Sequence, residues 1–378
     1  MKLTIERADL LDAVAWAAGG LAARPVLPVL AGLVLRAGDG LTVSAFDYEV
    51  STAATAPATV AEPGELLVSG RLLAQIVKSL PAGPLVLTAE GAGLVVGCAV
   101  ATFTLAALPI EDYPAPPVPP PVAGTVDPVP FAEAVTQVVL AASRDDTVPA
   151  FTGARLRLDG ETLTLSCIDR YRMAVRHLPW APARPGLEAT ALVPARTLAA
   201  VVRQLTPGTP LTLRLATDGG RSGAAGDGLL GLESGARHTV TRLLDNPLAD
   251  YVAQFPATGA IHATVATGAL LDAVKRVALV AAPQTPVHLA LSPGLLRLEA
   301  RTGSEARATA SVPAEYHGEG LSIGFNPRFL LDGLAALSGE TVRMTFSGPG
   351  KPATLTDGTD FRYLLAAVRL PAGDTAAG

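Results

Sequence analysis

The segment SGRLLAQIVKSLPAG at residues 69–83 decides the fold, because two later segments repeat its pattern. PARTLAAVVRQLTPG occupies residues 194–208, and NPRFLLDGLAALSGE occupies residues 326–340. Each copy follows a short apolar run typical of a strand and carries apolar residues at helical spacing. The copies start roughly a third of the chain apart, whereas solenoid repeats have periods of about 20–50 residues. The spacing therefore predicts three copies of one whole domain.

A second amphipathic pattern opens each predicted domain, with apolar residues recurring at i, i+3, i+4 and i+7. Alternating apolar and polar runs lie between the helical segments, and the pairs Asp39-Gly40, Asp159-Gly160 and Pro293-Gly294 predict hairpin turns within them. Each third of the chain is therefore predicted to be α+β, with two helices packed against antiparallel sheet. The opening helical segments are residues 6–19, 130–143 and 267–281.

Composition shifts indicate where the domains meet. The proline-rich stretch 109–130 is predicted to be an extended linker, because its prolines disfavour a helix or a central strand. A second boundary is expected near residues 248–259. The predicted domains are an N-terminal domain at 1–123, a central domain at 124–256 and a C-terminal domain at 257–378.

Composition also bounds the environment of the protein. Hydrophobic residues make up 49% of the chain but aromatic residues only 4%, so the cores are expected to consist of Leu, Val and Ala. The two cysteines, Cys98 and Cys167, occur without a signal-peptide pattern, which favours a reducing cytoplasm. The longest apolar stretch, residues 13–35, is interrupted by Gly, Arg and Pro and is not expected to span a membrane.

Basic residues recur on the second helix of the predicted domains. In the first two domains this segment has two basic residues and no acid, and in the third it has Arg328 and Asp332. In a chain of net charge −5, such matched helices predict one positive face for nucleic-acid phosphates, although a merely solvated face is the alternative. No base-reading motif is present, so the contact would be sequence-neutral. The predicted set is Arg24, Arg71, Lys78, Arg196, Arg203, Lys275 and Arg276.

Catalytic and cofactor motifs are missing from the sequence. There is no Walker-A loop, no dinucleotide fingerprint and no convincing metal-ligand spacing, so no cofactor and no metal is expected. Asp47 and Asp169 occupy matching places in the first two domains. They could form a general acid–base pair, but a short carboxylate that caps a turn is the favoured interpretation. The sequence predicts no active site.

Several short motifs, in this order, carry a resemblance to a known family. They are MKLTIER (1–7), RPVLPVL (24–30), AFDYE (45–49), IDRYRMA (168–174), IGFN (323–326) and VRL (368–370). The chain resembles the bacterial β sliding clamps, the processivity rings of the replicative DNA polymerase III, over essentially its full length. The resemblance implies a head-to-tail homodimer of three-domain subunits. Six domains would close a ring around double-stranded DNA, with two helices per domain on its inner wall.

The resemblance also implies the partners and their sites. A clamp of this kind is a non-catalytic cytoplasmic protein that associates with the nucleoid. The replicative DNA polymerase and the clamp loader would each insert a short clamp-binding peptide between the second and third domains. The implied pocket residues are Ile168, Tyr171, Arg172, Met173, Ala249, Ala253, Gln254, Ala366, Ala367, Val368, Arg369 and Leu370. The implied dimer interface comprises Phe103, Leu105, Leu270 and Leu271.

Departures from the family pattern concentrate in this pocket. Ala366 and Ala367 replace the usual Met-Pro, and Tyr171 stands where His is common. One alternative is therefore a specialised paralogue whose pocket is partner-selective or inhibitor-tolerant. A second alternative, from another functional class, is a hydrolase that uses Asp47 or Asp169.

Overall fold

The structure is a computed structural model that describes residues 1–22, 24–216, 228–245, 255, 261–282, 285–303 and 305–368. Within these ranges the chain forms six α-helices and 26 β-strands, arranged as three domains of two helices each. The α+β class and all six predicted helices are confirmed, as are the three predicted hairpin turns.

Domain 1 shows how the apolar periodicity becomes packing. Its helices are α1 (Arg7–Ala18) and α2 (Gly70–Ser79), and its strands are β1 (Lys2–Glu6), β2 (Gly32–Ala37), β3 (Leu41–Phe46), β4 (Val50–Ala56), β5 (Thr59–Glu62), β6 (Gly64–Ser69), β7 (Pro84–Glu90), β8 (Gly93–Gly97) and β9 (Thr102–Leu108). In α2, Leu73, Ile76 and Val77 are buried, while Arg71 and Lys78 are exposed. The helix therefore buries one face and leaves its basic face in solvent.

Domain 2 begins inside the stretch predicted to be a linker. Its helices are α3 (Pro128–Val139) and α4 (Ala195–Val202), and its strands are β10 (Val122–Val126), β11 (Gly153–Asp159), β12 (Thr162–Ile168), β13 (Arg172–Pro179), β14 (Ala181–Pro182), β15 (Glu188–Pro194), β16 (Leu211–Leu215), β17 (Leu229–Ser234) and β18 (Arg237–Arg242).

The prediction that residues 109–130 contain neither helix nor central strand is wrong for the second half of that stretch. Strand β10 lies between β14 and β16, and the expected domain boundary after residue 123 falls within it. Residues 122–126 contain no proline, so this segment is free to pair with β16 as a strand. Helix α3 then starts at Pro128, where a missing N–H costs nothing, and Asp127 caps it by accepting a bond from the Val129 N–H at 2.9 Å.

Domain 3 repeats the plan. Its helices are α5 (Thr267–Ala278) and α6 (Pro327–Ala336), and its strands are β19 (Ile261–Ala266), β20 (Val287–Ser292), β21 (Gly294–Thr302), β22 (Ala306–His317), β23 (Leu321–Phe325), β24 (Thr341–Phe346), β25 (Ala353–Thr356) and β26 (Phe361–Leu365). Asn326 caps α6 by accepting hydrogen bonds from the N–H groups of Arg328 and Phe329.

Strand pairing runs across both domain junctions. In the described residues, β18 of domain 2 pairs with β4 of domain 1, and β26 of domain 3 pairs with β13 of domain 2. These pairs join the strands into one sheet of 14 and another of 12. The three domains therefore share two continuous sheets, and each junction is held by main-chain hydrogen bonds.

The helices form a single row beside the sheets. Within domains, α1 packs on α2, α3 on α4 and α5 on α6. At the first junction Gly19, just after α1, lies against Gln204, just after α4. At the second junction the Gln137 side-chain amide on α3 donates to the carbonyl of Ala336 at the end of α6, at 3.0 Å. The order along the row is therefore α2, α1, α4, α3, α6, α5.

Candidate functional site

The two matched aspartates are structural. Asp47 Oδ1 accepts hydrogen bonds from the backbone N–H groups of Glu49 (3.0 Å) and Val50 (2.7 Å). Asp169 Oδ1 accepts the equivalent two bonds from the N–H groups two and three residues later, at 2.8 and 2.9 Å. The turn-capping interpretation is confirmed. Across the described ranges, no three His, Cys, Asp or Glu side chains are grouped so that they could hold a metal ion.

All seven predicted phosphate-contacting residues are exposed. They lie on, or just beyond, helices of the continuous row, which gives the row a repeated basic character. Two of them also make local contacts. An Arg71 guanidinium N–H donates to the carbonyl of Ala22 at 3.1 Å, and Lys275 lies 3.7 Å from Asp272 one turn earlier on α5. The seven are Arg24 after α1, Arg71 and Lys78 on α2, Arg196 on α4, Arg203 after α4, and Lys275 and Arg276 on α5.

The one acid that breaks the basic pattern of the second helices is paired with an arginine. Asp332 Oδ2 on α6 accepts a hydrogen bond from Arg172 Nη1 at 2.6 Å, while Arg172 Nε donates to Asp169 Oδ2 at 3.0 Å. The guanidinium also lies 4.4 Å from the centre of the Phe329 ring. Only 7% of the Arg172 side chain is exposed. Asp332 therefore helps to fasten domain 2 to domain 3.

A small apolar cluster lies apart from the main core at the junction of domains 2 and 3. It is built on the pair β13–β26, where Met173 stands opposite Leu364 and Val175 opposite Arg362. The Arg362 guanidinium lies 5.1 Å from the centre of the Phe255 ring. The cluster, called the outer cluster below, comprises Ile168, Met173, Val175, Phe255 and Leu364.

The chain after β26 runs beside the outer cluster. The Ala366 N–H donates to the Tyr171 carbonyl at 2.8 Å, and the Val368 N–H donates to the Gly324 carbonyl at 2.8 Å. Both bonds hold residues 366–368 against the two neighbouring domains. Ala366, Ala367 and Val368 are half-buried there. Of the predicted pocket residues, Ala249, Ala253, Gln254, Arg369 and Leu370 lie outside the described residues.

The remaining predicted pocket residues do not all lie on the same face of β13. Met173 belongs to the outer cluster, whereas its neighbour Arg172 points to the opposite face of β13, as strand alternation requires. Tyr171 is 56% exposed and stacks on Phe329, with ring centres 5.8 Å apart. Val175 and Leu364 are cluster members that the sequence analysis missed. The period-2 alternation from Met173 would have found Val175.

Models of one family match the three domains in order. The model described as the DNA polymerase III beta subunit, N-terminal domain, matches residues 1–117, the central-domain model matches 125–250, and the C-terminal-domain model matches 253–371. The chain belongs to the DNA polymerase III beta subunit family, the β sliding clamps.

Individual relatives agree with this membership. A beta sliding clamp of Streptomyces coelicolor is 45% identical, over 98% of this chain and all of the relative. A beta sliding clamp homolog named GriR, from Streptomyces muensis, is 39% identical over 98% of this chain and 99% of its own length. The crystal structure of the DNA polymerase III subunit beta from Pseudomonas aeruginosa superimposes with a TM-score of 0.89, at 26% identity, over 98% and 100% of the two chains. The alternative of a specialised paralogue is not favoured.

The predicted dimer-interface residues of this clamp chain differ in accessibility. Phe103 and Leu271 are half-buried, whereas Leu105 is 2% exposed and Leu270 is fully enclosed in the core of domain 3. Leu270 therefore has no surface to offer a second subunit. None of the clamp's described helices is long and apolar enough to cross a membrane.

Proposed function

We propose that two copies of this chain close head to tail into a non-catalytic ring that encircles duplex DNA. The ring slides on the duplex and tethers the replicative DNA polymerase, which makes it a processivity factor in the cytoplasm at the nucleoid. The division into domains at 1–123, 124–256 and 257–378 remains part of this proposal. The observation that carries the proposal is the repeated strand pairing at the two domain junctions.

The two junctions use the same strands in the same register. At the first, Thr241 of β18 stands opposite Val50, three residues after the turn-capping Asp47. At the second, Leu365 of β26 stands opposite Arg172, three residues after the capping Asp169. In each case the last strand of one domain pairs with the third strand of the preceding domain's hairpin series. A third junction of this kind would need β22 from domain 3 and β9 from domain 1.

Both of these strands have an open edge among the described residues. Strand β9 pairs with β8 along 102–106 and with β6 only at 107–108, while β22 pairs with β21 along 306–314 and with β19 only at 315–317. Along 102–106 and 306–314 the other edge of each strand is therefore open among the described residues. Within one chain the two edges belong to the first and the last domain, so they can meet only between copies. An open edge favours strand addition, and head-to-tail contacts that close give a ring.

The register of the existing junctions fixes the expected contact. Extended to the third junction, it sets Leu105 opposite Ala306 and Phe103 opposite Ala308 of the other copy. Both alanines are half-buried, and Ala308 leaves room for the larger Phe103. At the same contact, α5 and α2 are the free ends of the helix row, so Leu271 of α5 would face the other copy. The proposed interface therefore keeps the side chains of Phe103 and Leu271 and the main chain of Leu105, whose side chain is buried, and omits Leu270.

The row of helices is the proposed DNA-facing wall. Its seven exposed basic residues offer charge to phosphates without any means of base readout, although the whole chain carries a net charge of −5. Contacts of this type are diffuse and exchange readily along the duplex, so they permit sliding while the closed ring prevents escape.

The partner-binding pocket is proposed at the junction of domains 2 and 3. The outer cluster supplies an apolar floor, and the half-buried segment 366–368 forms one side. Apolar floors with a few polar groups suit short linear peptides of the kind proposed for the polymerase and the clamp loader. Tyr171 and the pocket residues outside the described ranges would complete it.

The ring is tested by topology. The protein is loaded by a clamp loader and ATP onto a nicked circular plasmid, separated from free protein, and the plasmid is then cut once. Retention on the circle and release on cutting are expected, because only a closed ring depends on the absence of DNA ends. Equal retention on circular and linear plasmid would contradict the proposal.

The interface is tested by charge insertion. Phe103→Asp combined with Leu271→Asp should give monomers in sedimentation velocity, because two carboxylates would be buried at the contact. Val86→Asp, at a side chain 41% exposed in the same domain, is the matched control and should remain dimeric. A dimer that persists in the double variant would show that the contact lies elsewhere.

A further inference from the structure

A cavity of about 480 Å³ lies at the junction of domains 1 and 2. It opens between the end of α1, the helix α4 and the β3–β4 turn, and it is contained within a single chain. Its proposed occupant can therefore be tested separately from the ring. The side chains that line it include Trp16, Asp47, Val50, Thr197, Ala200 and Thr239.

The domain repeat allows the cavity to be compared with the same place at the second junction. Val50 corresponds to Arg172, because each lies three residues after its turn-capping aspartate. Thr239, which pairs with Thr52, corresponds to Tyr363, which pairs with Ala174 in the same register.

The helix positions extend this correspondence. The repeats PARTLAAVV and NPRFLLDGL align Thr197 with Phe329 and Ala200 with Asp332. Small or medium side chains at the first junction thus stand where Arg, Phe, Asp and Tyr stand at the second. The cavity is the space that those larger side chains occupy in the neighbouring repeat.

The second junction shows what chemistry fills this space. The guanidinium of Arg172 donates to Asp169 at 3.0 Å and to Asp332 at 2.6 Å, and it lies 4.4 Å from the centre of the Phe329 ring. Tyr363 closes the site from the strand side and is fully buried. The occupant there is an arginine head held by carboxylates and aromatic rings.

The first junction retains acceptors without the arginine. Asp47 makes the same turn contacts as Asp169 through Oδ1, but its Oδ2 accepts no hydrogen bond and forms no ion pair within the described part of the chain. Thr239 is 1% exposed, and its buried hydroxyl oxygen has no hydrogen-bond partner there. A buried polar group without a partner is unfavourable, so a ligand that satisfies it gains affinity.

We infer that this cavity binds an arginine side chain of a peptide, together with an adjacent aromatic residue. The guanidinium donates to Asp47 Oδ2 in the place of the Arg172 head, and the aromatic ring fills the space that Phe329 and Tyr363 occupy at the other junction. Arg24 and Arg196 line the rim, but Asp47 and Glu49 balance their charge, so the cavity is not an anion site.

The experiment uses Trp16, which lines the cavity, as its reporter. Trp180→Phe leaves Trp16 as the sole tryptophan of the full-length chain. Titration with N-acetyl-Arg-Phe-amide should shift Trp16 fluorescence saturably, and N-acetyl-Lys-Phe-amide should bind at least tenfold more weakly. The lysine peptide has the same charge but lacks the planar fork that matches a carboxylate.

Two variants test the site itself. Asp47→Asn keeps the Oδ1 acceptor that holds the turn but loses the negative charge, and it should weaken the arginine peptide at least tenfold. Val50→Arg places an internal guanidinium in the cavity and should abolish saturable binding, whereas Val100→Arg, at a side chain 77% exposed, should leave it unchanged.

Four results would overturn the inference. These are no saturable shift with the arginine peptide, equal affinity for the lysine peptide, unchanged affinity in Asp47→Asn, and a saturable response to inorganic phosphate in place of the peptide. The last result would identify an anion site built on Arg24 and Arg196. Asp47→Asn preserves the turn contacts, so the test does not depend on whether Val50→Arg folds.

Discussion

The two domain junctions share the same strand pairing but differ in their arginine contacts. In each, an arginine of domain 2 reaches a different neighbouring domain. At the second, Arg172 reaches from domain 2 towards α6 of domain 3, and its side chain is 7% exposed. At the first, Arg237 reaches from domain 2 back to α1 of domain 1, where it pairs with Asp12 and lies 5.4 Å from the Trp16 ring centre. Asp12 is 57% exposed there. The same strand register therefore does not determine which side chains fill the space between the paired strands and the neighbouring helix.

The largest expected effect separates these two arginines. Arg172→Met should lower the free energy of unfolding by about 3 kcal/mol, because it leaves Asp169 and Asp332 without their buried cationic partner. Arg237→Met should cost about 1 kcal/mol or less, since solvent already screens its carboxylate partner. Urea unfolding monitored by circular dichroism measures both.

Equal losses of unfolding free energy in Arg172→Met and Arg237→Met would contradict this prediction. They would mean that burial of the ion pair does not decide its contribution to stability. The double variant Arg172→Met with Asp332→Leu is the control. If part of the cost arises because Asp332 loses its cationic partner, removing the Asp332 carboxylate should recover that part of the stability.

A smaller effect is expected from one added methyl group. In Gly333→Ala the new Cβ would collide with the Tyr363 ring, so the protein should lose about 1–3 kcal/mol of stability through overpacking. Gly268→Ala on α5 is the matched control, because nothing lies within 4 Å of its Cβ position. The control should gain up to about 1 kcal/mol from helix propensity.

Thermal unfolding of the two glycine variants shows directly whether each substitution stabilises or destabilises the protein. Opposite shifts of the midpoint are expected. If Gly333→Ala were as stable as the unmodified chain, the packing of α6 against Tyr363 would be looser than the contact distances indicate.

The smallest expected effect is a pH dependence at the second junction. Burial lowers the pKa of His177 below its usual 6.5, and the neighbouring Arg362 lowers it further. The unfolded chain therefore binds this proton first as the pH falls. The contribution to stability is complete above about pH 6.5 and is lost as the pH falls towards the lowered pKa.

His177→Gln should therefore reduce the drop in the urea midpoint between pH 7.5 and 5.5. His238→Gln, on β18 at the first junction, is the matched comparison. An unchanged drop in His177→Gln would show that the pH response of the protein arises elsewhere.

The fold was predictable wherever the cause is local. The i, i+3, i+4 spacing predicted α2 and α4, and the Asp39-Gly40 pair predicted the β2–β3 hairpin, because both are set by neighbouring residues. The proline content of 109–130 predicted an extended linker throughout, but strand β10 forms there because it pairs with β16, more than 80 residues away.

The site was predictable only in part for the same physical reason. The basic residues of the second helices were recognised from spacing, and all of those predicted are exposed. The contact of Arg172 with Asp332 joins residues 160 positions apart, and no sequence period reports it. Nothing in the sequence indicated that Val50 lines a cavity. That follows only from the comparison with Arg172 at the equivalent position of the second junction.

Strand pairing across the junctions determines how many open strand edges a chain of these domains has. Every junction uses one edge from each of two domains, so adding or removing a domain always leaves a chain with two open edges, one of each kind. An excised single domain would carry the same two complementary edges as the whole chain, and it would be prone to self-polymerise. In the proposed ring, indefinite growth is prevented because the last open edge pairs with the first.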